Sequence, residues 1–118
     1  GEFEKIHYWK QAKQLWQNML KRCYLEKDQR GYFKWGTIVD KRWHCFSNFL
    51  YDLPKLENFE LWLAGQNSKN NKYNLDKDSK YPANNTYGKE VCSFIPESIN
   101  KSMGARTTSE GFYRNLNK

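Results

Sequence analysis

Between residues 6 and 23 apolar side chains return every three or four positions: Ile6, Trp9, Ala12, Leu15, Trp16, Met19, Leu20 and Cys23. That period puts them on one face of an amphipathic helix, with Lys10, Lys13, Gln14, Gln17, Asn18 and Lys21 on the other. Lys27 to Gly31 is polar and ends in glycine, which predicts a loop. Residues 32–39 are rich in β-forming side chains but alternate poorly, so a short strand interrupted at Gly36 is expected. Asp40 is a suitable N-cap for a second helix, on which Trp43, Phe46, Phe49, Leu50 and Leu53 share a face and which Pro54 stops. Leu56, Phe59, Leu61, Trp62 and Leu63 predict one or two further turns, ended at Gly65.

The pattern then changes character. Residues 66–72 are polar and Asn-rich, as an exposed loop would be. Residues 73–76 read as a strand, 77–85 carry turn chemistry throughout, and 91–95 read as a second short strand. Pro96 suits the first turn of a helix, with Glu97 near its positive end, running through Ile99 and Met103 to Gly104. Gly1-Glu2-Phe3 matches what a common cloning site encodes and is set aside from the fold. The expected organisation is α+β and one compact domain: a helical, aromatic-rich segment over 4–66, packed on a small ββα unit over 67–103, and a tail over 104–118.

Composition sharpens this. A length of 118 residues fits one domain. Aromatic residues make up 17%, too many for a disordered chain. The formal net charge is +7, distributed as +3 over residues 1–40, zero over 41–66 and +4 over 67–118. Basic ends around a neutral apolar middle point to an anionic partner, nucleic acid first. Three cysteines argue against a closed disulfide framework and for a reducing, cytoplasmic interior. Apolar stretches of only a few residues predict neither a membrane span nor a signal peptide. There is no Gly-rich phosphate loop, dinucleotide fingerprint or Ser/Cys nucleophile motif, which sets small-molecule enzymes aside.

Candidate chemistry gathers in 73–96. Asp76 and Asp78 end the first predicted strand, Asn84, Asn85 and Tyr87 follow in the loop, and Glu90 and Cys92 precede the second strand. A hard divalent cation would take oxygens of this kind. The two histidines, His7 and His44, lie outside the unit. His44 either reaches Asp76 as a base or is a helix residue at the core margin. Cys23, Cys45, Cys92 and His44 match a zinc set by count, but the close Cys spacing of zinc motifs is missing and core packing accounts for them better. Tyr87 is either a nucleophile or an aromatic packed at the loop end.

Asn74-Leu75-Asp76-Lys77-Asp78, then Tyr87, then Cys92 to Pro96 and Ile99-Asn100 resemble the small phage HNH-type proteins, relatives of the HNH homing endonucleases of phages and group I introns. Trp16, Met19, Arg22-Cys23-Tyr24, Trp43, Phe46, Asn48-Phe49 and Trp62 resemble the helical segment that precedes the HNH unit there. The resemblance covers roughly residues 9–103. It implies a ββα-metal nuclease fold in an infected or lysogenic bacterial cell, in which one Mg²⁺ or Mn²⁺ polarises the scissile phosphate. On this chain the acidic ligand maps onto Asp76, the histidine base onto Lys77 and the second ligand near Val91, so the catalytic motif is degenerate. The site residues are then Asp76, Lys77 and Asp78 for catalysis and Asp76 and Asp78 for the metal. Lys69, Lys72, Lys77, Lys80, Lys89, Lys101 and Arg106 line the phosphate side.

Two functions follow. One is an HNH-like DNA-binding protein, with or without metal-dependent nicking. The other is a catalytically dead phage protein that blocks a host nucleic-acid enzyme or ribonucleoprotein, in the manner of a CRISPR inhibitor.

Overall fold

A computed structural model of the chain describes residues 2–25 and 36–99. It is a mixed helix-and-sheet structure. A 3₁₀ turn at Glu2–Lys5 leads into helix α1 (Trp9–Tyr24), strand β1 (Ile38–Val39), helix α2 (Phe46–Asp52), helix α3 (Phe59–Ala64), and strands β2 (Tyr73–Asp76), β3 (Thr86–Tyr87) and β4 (Ser93–Pro96). Short 3₁₀ turns at Lys41–His44, Leu53–Lys55 and Gly65–Asn67 join the helical part.

Helix α1 follows its 3.6-residue pattern. Ala12, Met19 and Cys23 are buried, with Trp9, Leu15, Trp16 and Leu20 packed at the core margin. The second expected helix is split. Asp40 caps the Lys41–His44 turn, its carboxylate accepting from Arg42 N at 3.0 Å, and Cys45 is extended before α2 begins. The break lets Trp43 and Phe49 meet edge to face with centroids 4.9 Å apart, both fully buried. Aromatic packing over a large buried area outweighs one or two lost helical hydrogen bonds. In α3, Leu61 is exposed, whereas Phe59 and Trp62 are buried.

The helical part meets the strands through Trp62, stacked on Phe94 of β4 at 5.2 Å. β2 and β4 pair antiparallel, with Leu75 opposite Phe94 and Asp76 opposite Ser93. Pro96 therefore closes a strand, opposite Tyr73, and does not open the helix. Proline, with no N–H to donate, is tolerated at such a strand end. Helix begins only at 97–99, and its expected continuation to Gly104 lies outside the described residues. Val91 belongs to a turn, its N–H donating to the Gly88 carbonyl. A second, parallel pair joins β1 to β3, with Ile38 opposite Thr86 and Val39 opposite Tyr87. Gly65 has no room for a side chain, because a Cβ there would collide with the Asn71 carbonyl as the chain folds back over it. The predicted loop at Lys27–Gly31 and the start of the strand predicted in 32–39 fall outside the described residues.

Candidate functional site

The β2–β4 hairpin carries residues 77–92 as a long connection, and Asp76 anchors its start. The Asp76 carboxylate is 6% exposed. Its Oδ2 accepts from the backbone N–H of Asp78 at 3.2 Å and of Ser79 at 2.5 Å, the turn an Asp makes with its own following residues. Ser79 Oγ in turn lies 3.1 Å from Ser93 Oγ, so the turn is tied to β4. Burial raises the Asp76 pKa above the usual carboxylate value, and the nearby Asp78 charge raises it further. The Ser79 hydroxyl and backbone N–H oppose this only in part.

Lys77 does not reach outward. Its Nζ donates to Asp78 Oδ2 at 3.3 Å and to the Asn84 carbonyl at 3.2 Å, and its side chain is only 14% exposed. Asn84 closes the connection from the other side. Its amide donates to the Lys77 carbonyl at 2.8 Å and to the Thr86 carbonyl at 2.7 Å. One side chain thereby clamps the start of the loop to β3. Asn85 adds a link to the helical part, accepting from Thr37 Oγ1 at 2.6 Å.

The donor set around the two carboxylates is thus backbone N–H and an ammonium. Those groups satisfy an anion, and a divalent cation brought to both oxygens would meet Lys77 already in place. The arrangement does not fit a resident Mg²⁺ or Mn²⁺ on Asp76 and Asp78. Among the described residues no cluster of three or more His, Cys, Asp or Glu side chains is placed to hold a metal.

The other candidates separate in space. His44 Nε2 lies 2.9 Å from the Val39 carbonyl and 3.4 Å from Tyr24 Oη, so its partners are at the end of α1 and on β1. Tyr87 is buried, its hydroxyl accepting from Arg22 Nη1 at 3.0 Å, which ties α1 to β3. Cys92 is buried and accepts from Gly88 N–H, and burial pushes its thiol up to about 12, so it stays protonated. Cys23 is buried and Cys45 exposed. Glu90 pairs with Lys89 at 2.8 Å, and Lys80 lies 3.8 Å from Glu57, both pairs in solvent where they contribute little. Lys69 and Lys72 border an open cleft of about 410 Å³ together with Gln66, Asn67, Ser68 and Glu97. Lys101 and Arg106 lie outside the described residues.

Sequence reasoning missed one buried charge. Asp52 is 2% exposed and takes both prongs of Arg42, at 2.7 and 2.9 Å, and the Trp43 indole N–H at 2.9 Å. The guanidinium holds its carboxyl below the usual value, helped by the indole and opposed by burial. Asp52 follows an apolar run and reads in sequence as an ordinary helix-end polar residue, so nothing local marks it.

No family model, curated protein or solved structure matches this chain. No helix among the described residues is long and apolar enough to cross a membrane.

Proposed function

We propose that the protein is a phage-type, HNH-like DNA-binding protein that holds duplex DNA without cutting it. The observation that carries this reading is Lys77. It stands where the resemblance puts the general base, and it is bonded to Asp78 and to the Asn84 carbonyl. A general base must accept a proton from the attacking water, whereas Lys77 Nζ is committed as a donor in both contacts. The chain's +7 charge and the exposed Lys69 and Lys72 support phosphate contact. The antiparallel hairpin with an acidic residue at the end of its first strand is in keeping with a ββα scaffold.

The test is supercoiled plasmid incubated with the protein and Mg²⁺ or Mn²⁺, beside an Asp76→Ala control. The expected result is retarded plasmid with no open-circular product in either lane. Metal-dependent nicking by the wild type that disappears in Asp76→Ala would overturn the reading and make Asp76 a metal ligand. The same Lys77–Asp78 pair also favours a second reading, a scaffold reused to block a host nucleic-acid enzyme or ribonucleoprotein. Failure to retard plasmid, together with stoichiometric capture of one such host protein, would favour that reading.

A further inference from the structure

The solvent face of α1 is unusual in what it lacks. None of its sixteen residues is acidic, while Lys10, Lys13, Lys21 and Arg22 are basic. Lys10, Gln14, Gln17 and Lys21 are spaced i, i+4, i+7 and i+11, all exposed, and so form one straight stripe. Gln11 is exposed beside it, and Lys13 and Asn18 flank it half-buried. Helix stability does not account for this composition. Acidic residues in the first turn and Glu–Lys pairs four apart would each stabilise the helix, and α1 has neither. The opposite face is packed into the core through Ala12, Met19 and Cys23, so α1 has no apolar side left to insert into a lipid surface.

We infer that this stripe is the element that docks on duplex DNA, lying in the major groove; the inference rests on the DNA-binding reading above. A helix fits a groove about 12 Å wide. The two end lysines lie roughly 16 Å apart along the axis, at 1.5 Å per residue, so a helix set obliquely across the groove brings one ammonium group to each phosphate backbone. Gln14 and Gln17 fall between them, where base edges would be. Gln14 Nε2 donates to Asn18 Oδ1 at 3.1 Å, and this pair leaves the Gln14 oxygen as an acceptor and the Asn18 amide protons as donors. An adenine edge offers the complementary set, an N6 donor and an N7 acceptor. Charge complementarity thus commits the face to a polyanion, and the amides commit it to one with readable edges.

The test uses the full chain, a labelled duplex and fluorescence anisotropy across about 50 to 200 mM salt. The Lys10→Gln, Lys13→Gln, Lys21→Gln triple variant is compared with a charge-matched Lys5→Gln, Lys41→Gln, Lys55→Gln triple. Loss of three phosphate contacts lowers the steepness of the log–log salt dependence by about 2.7, at roughly 0.9 per contact. The control should change by less than one contact's worth, and arginine at positions 10, 13 and 21 should restore the wild-type slope. Equal effects of the two glutamine triples, with wild-type binding intact, would overturn the docking face and leave DNA binding standing. No binding by the wild type would instead remove the DNA-binding reading. Displacement by netropsin, a minor-groove ligand, would also overturn the inference. So would equal affinity for poly-glutamate, which would point to an acidic polypeptide partner.

Discussion

Asp76 and Asp52 are both buried carboxylates, yet their surroundings push them in opposite directions. Asp52 is held charged by Arg42, so its contribution to stability is full above its unfolded value near 3.8 and is lost as pH falls through its lowered folded pKa. Asp76 is raised, by burial first and by Asp78 second, so its ionised form costs stability at neutral pH. That cost is relieved as pH falls through the raised value toward 3.8. Asp76→Asn keeps an oxygen for the Asp78 and Ser79 N–H groups and removes the like charge. Thermal melts at pH 7 should give it a Tm at or above the wild type, with the relief at lower pH abolished. Asp76→Ala strands two N–H groups and should cost about 1–3 kcal/mol. Arg42→Ala leaves the Asp52 charge buried without its partner and should lower the Tm at pH 7. An Asp76→Asn protein less stable than Asp76→Ala would refute the assignment of Asp76 as a turn anchor. The site itself was half visible in the sequence. Asp76 at the end of a strand was legible from the strand pattern and the turn chemistry after it. Its partners were not, because they are backbone groups, and neither was the Arg42–Asp52–Trp43 cluster, whose pairing depends on where Cys45 breaks the helix.

At the scale of elements, local pattern carried the long helix and the β2–β4 hairpin, since each has a clear period or a clear run of β-formers. It failed where pairing is non-local. β1 and β3 are two residues each, and neither Ile38-Val39 nor Thr86-Tyr87 has a period to read. Their pairing is fixed by Asp40 N–H donating to the Tyr87 carbonyl at 2.8 Å, by Ile38 N–H donating to the Asn85 carbonyl at 3.1 Å, and by the side chains of Asn84 and Asn85 just before β3. Asn84 is the piece that holds residues 77–86 in shape, bridging two carbonyls nine residues apart in the chain. Asn84→Ala should leave the helical core folded and release this loop. Amide hydrogen exchange should show faster exchange over residues 77–87 and unchanged protection in α1. Uniform loss of protection across α1 and the loop would instead mean that the connection and the helical core unfold as one unit.

Across the whole molecule, the aromatic excess and the basic excess serve different parts. Trp43, Phe49, Phe59, Trp62 and Phe94 build the buried core that joins helices to hairpin. Among the described residues the cations lie on the outside of α1 and around the loops after residue 66, where the sequence alone had already placed a basic balance, and at Lys5, Lys41, Arg42 and Lys55. What the charge sum did not convey is which cations are committed. Lys77 and Lys89 are bonded to neighbouring acids, whereas α1 carries its lysines with no acidic residue on the same helix. The central claim, that these cations hold duplex DNA, is most directly tested by the salt dependence of wild-type binding to a duplex. The account predicts at least three phosphate contacts, hence a log–log slope of about -2.7 or steeper. Binding that is absent, or that is flat across salt, would contradict it.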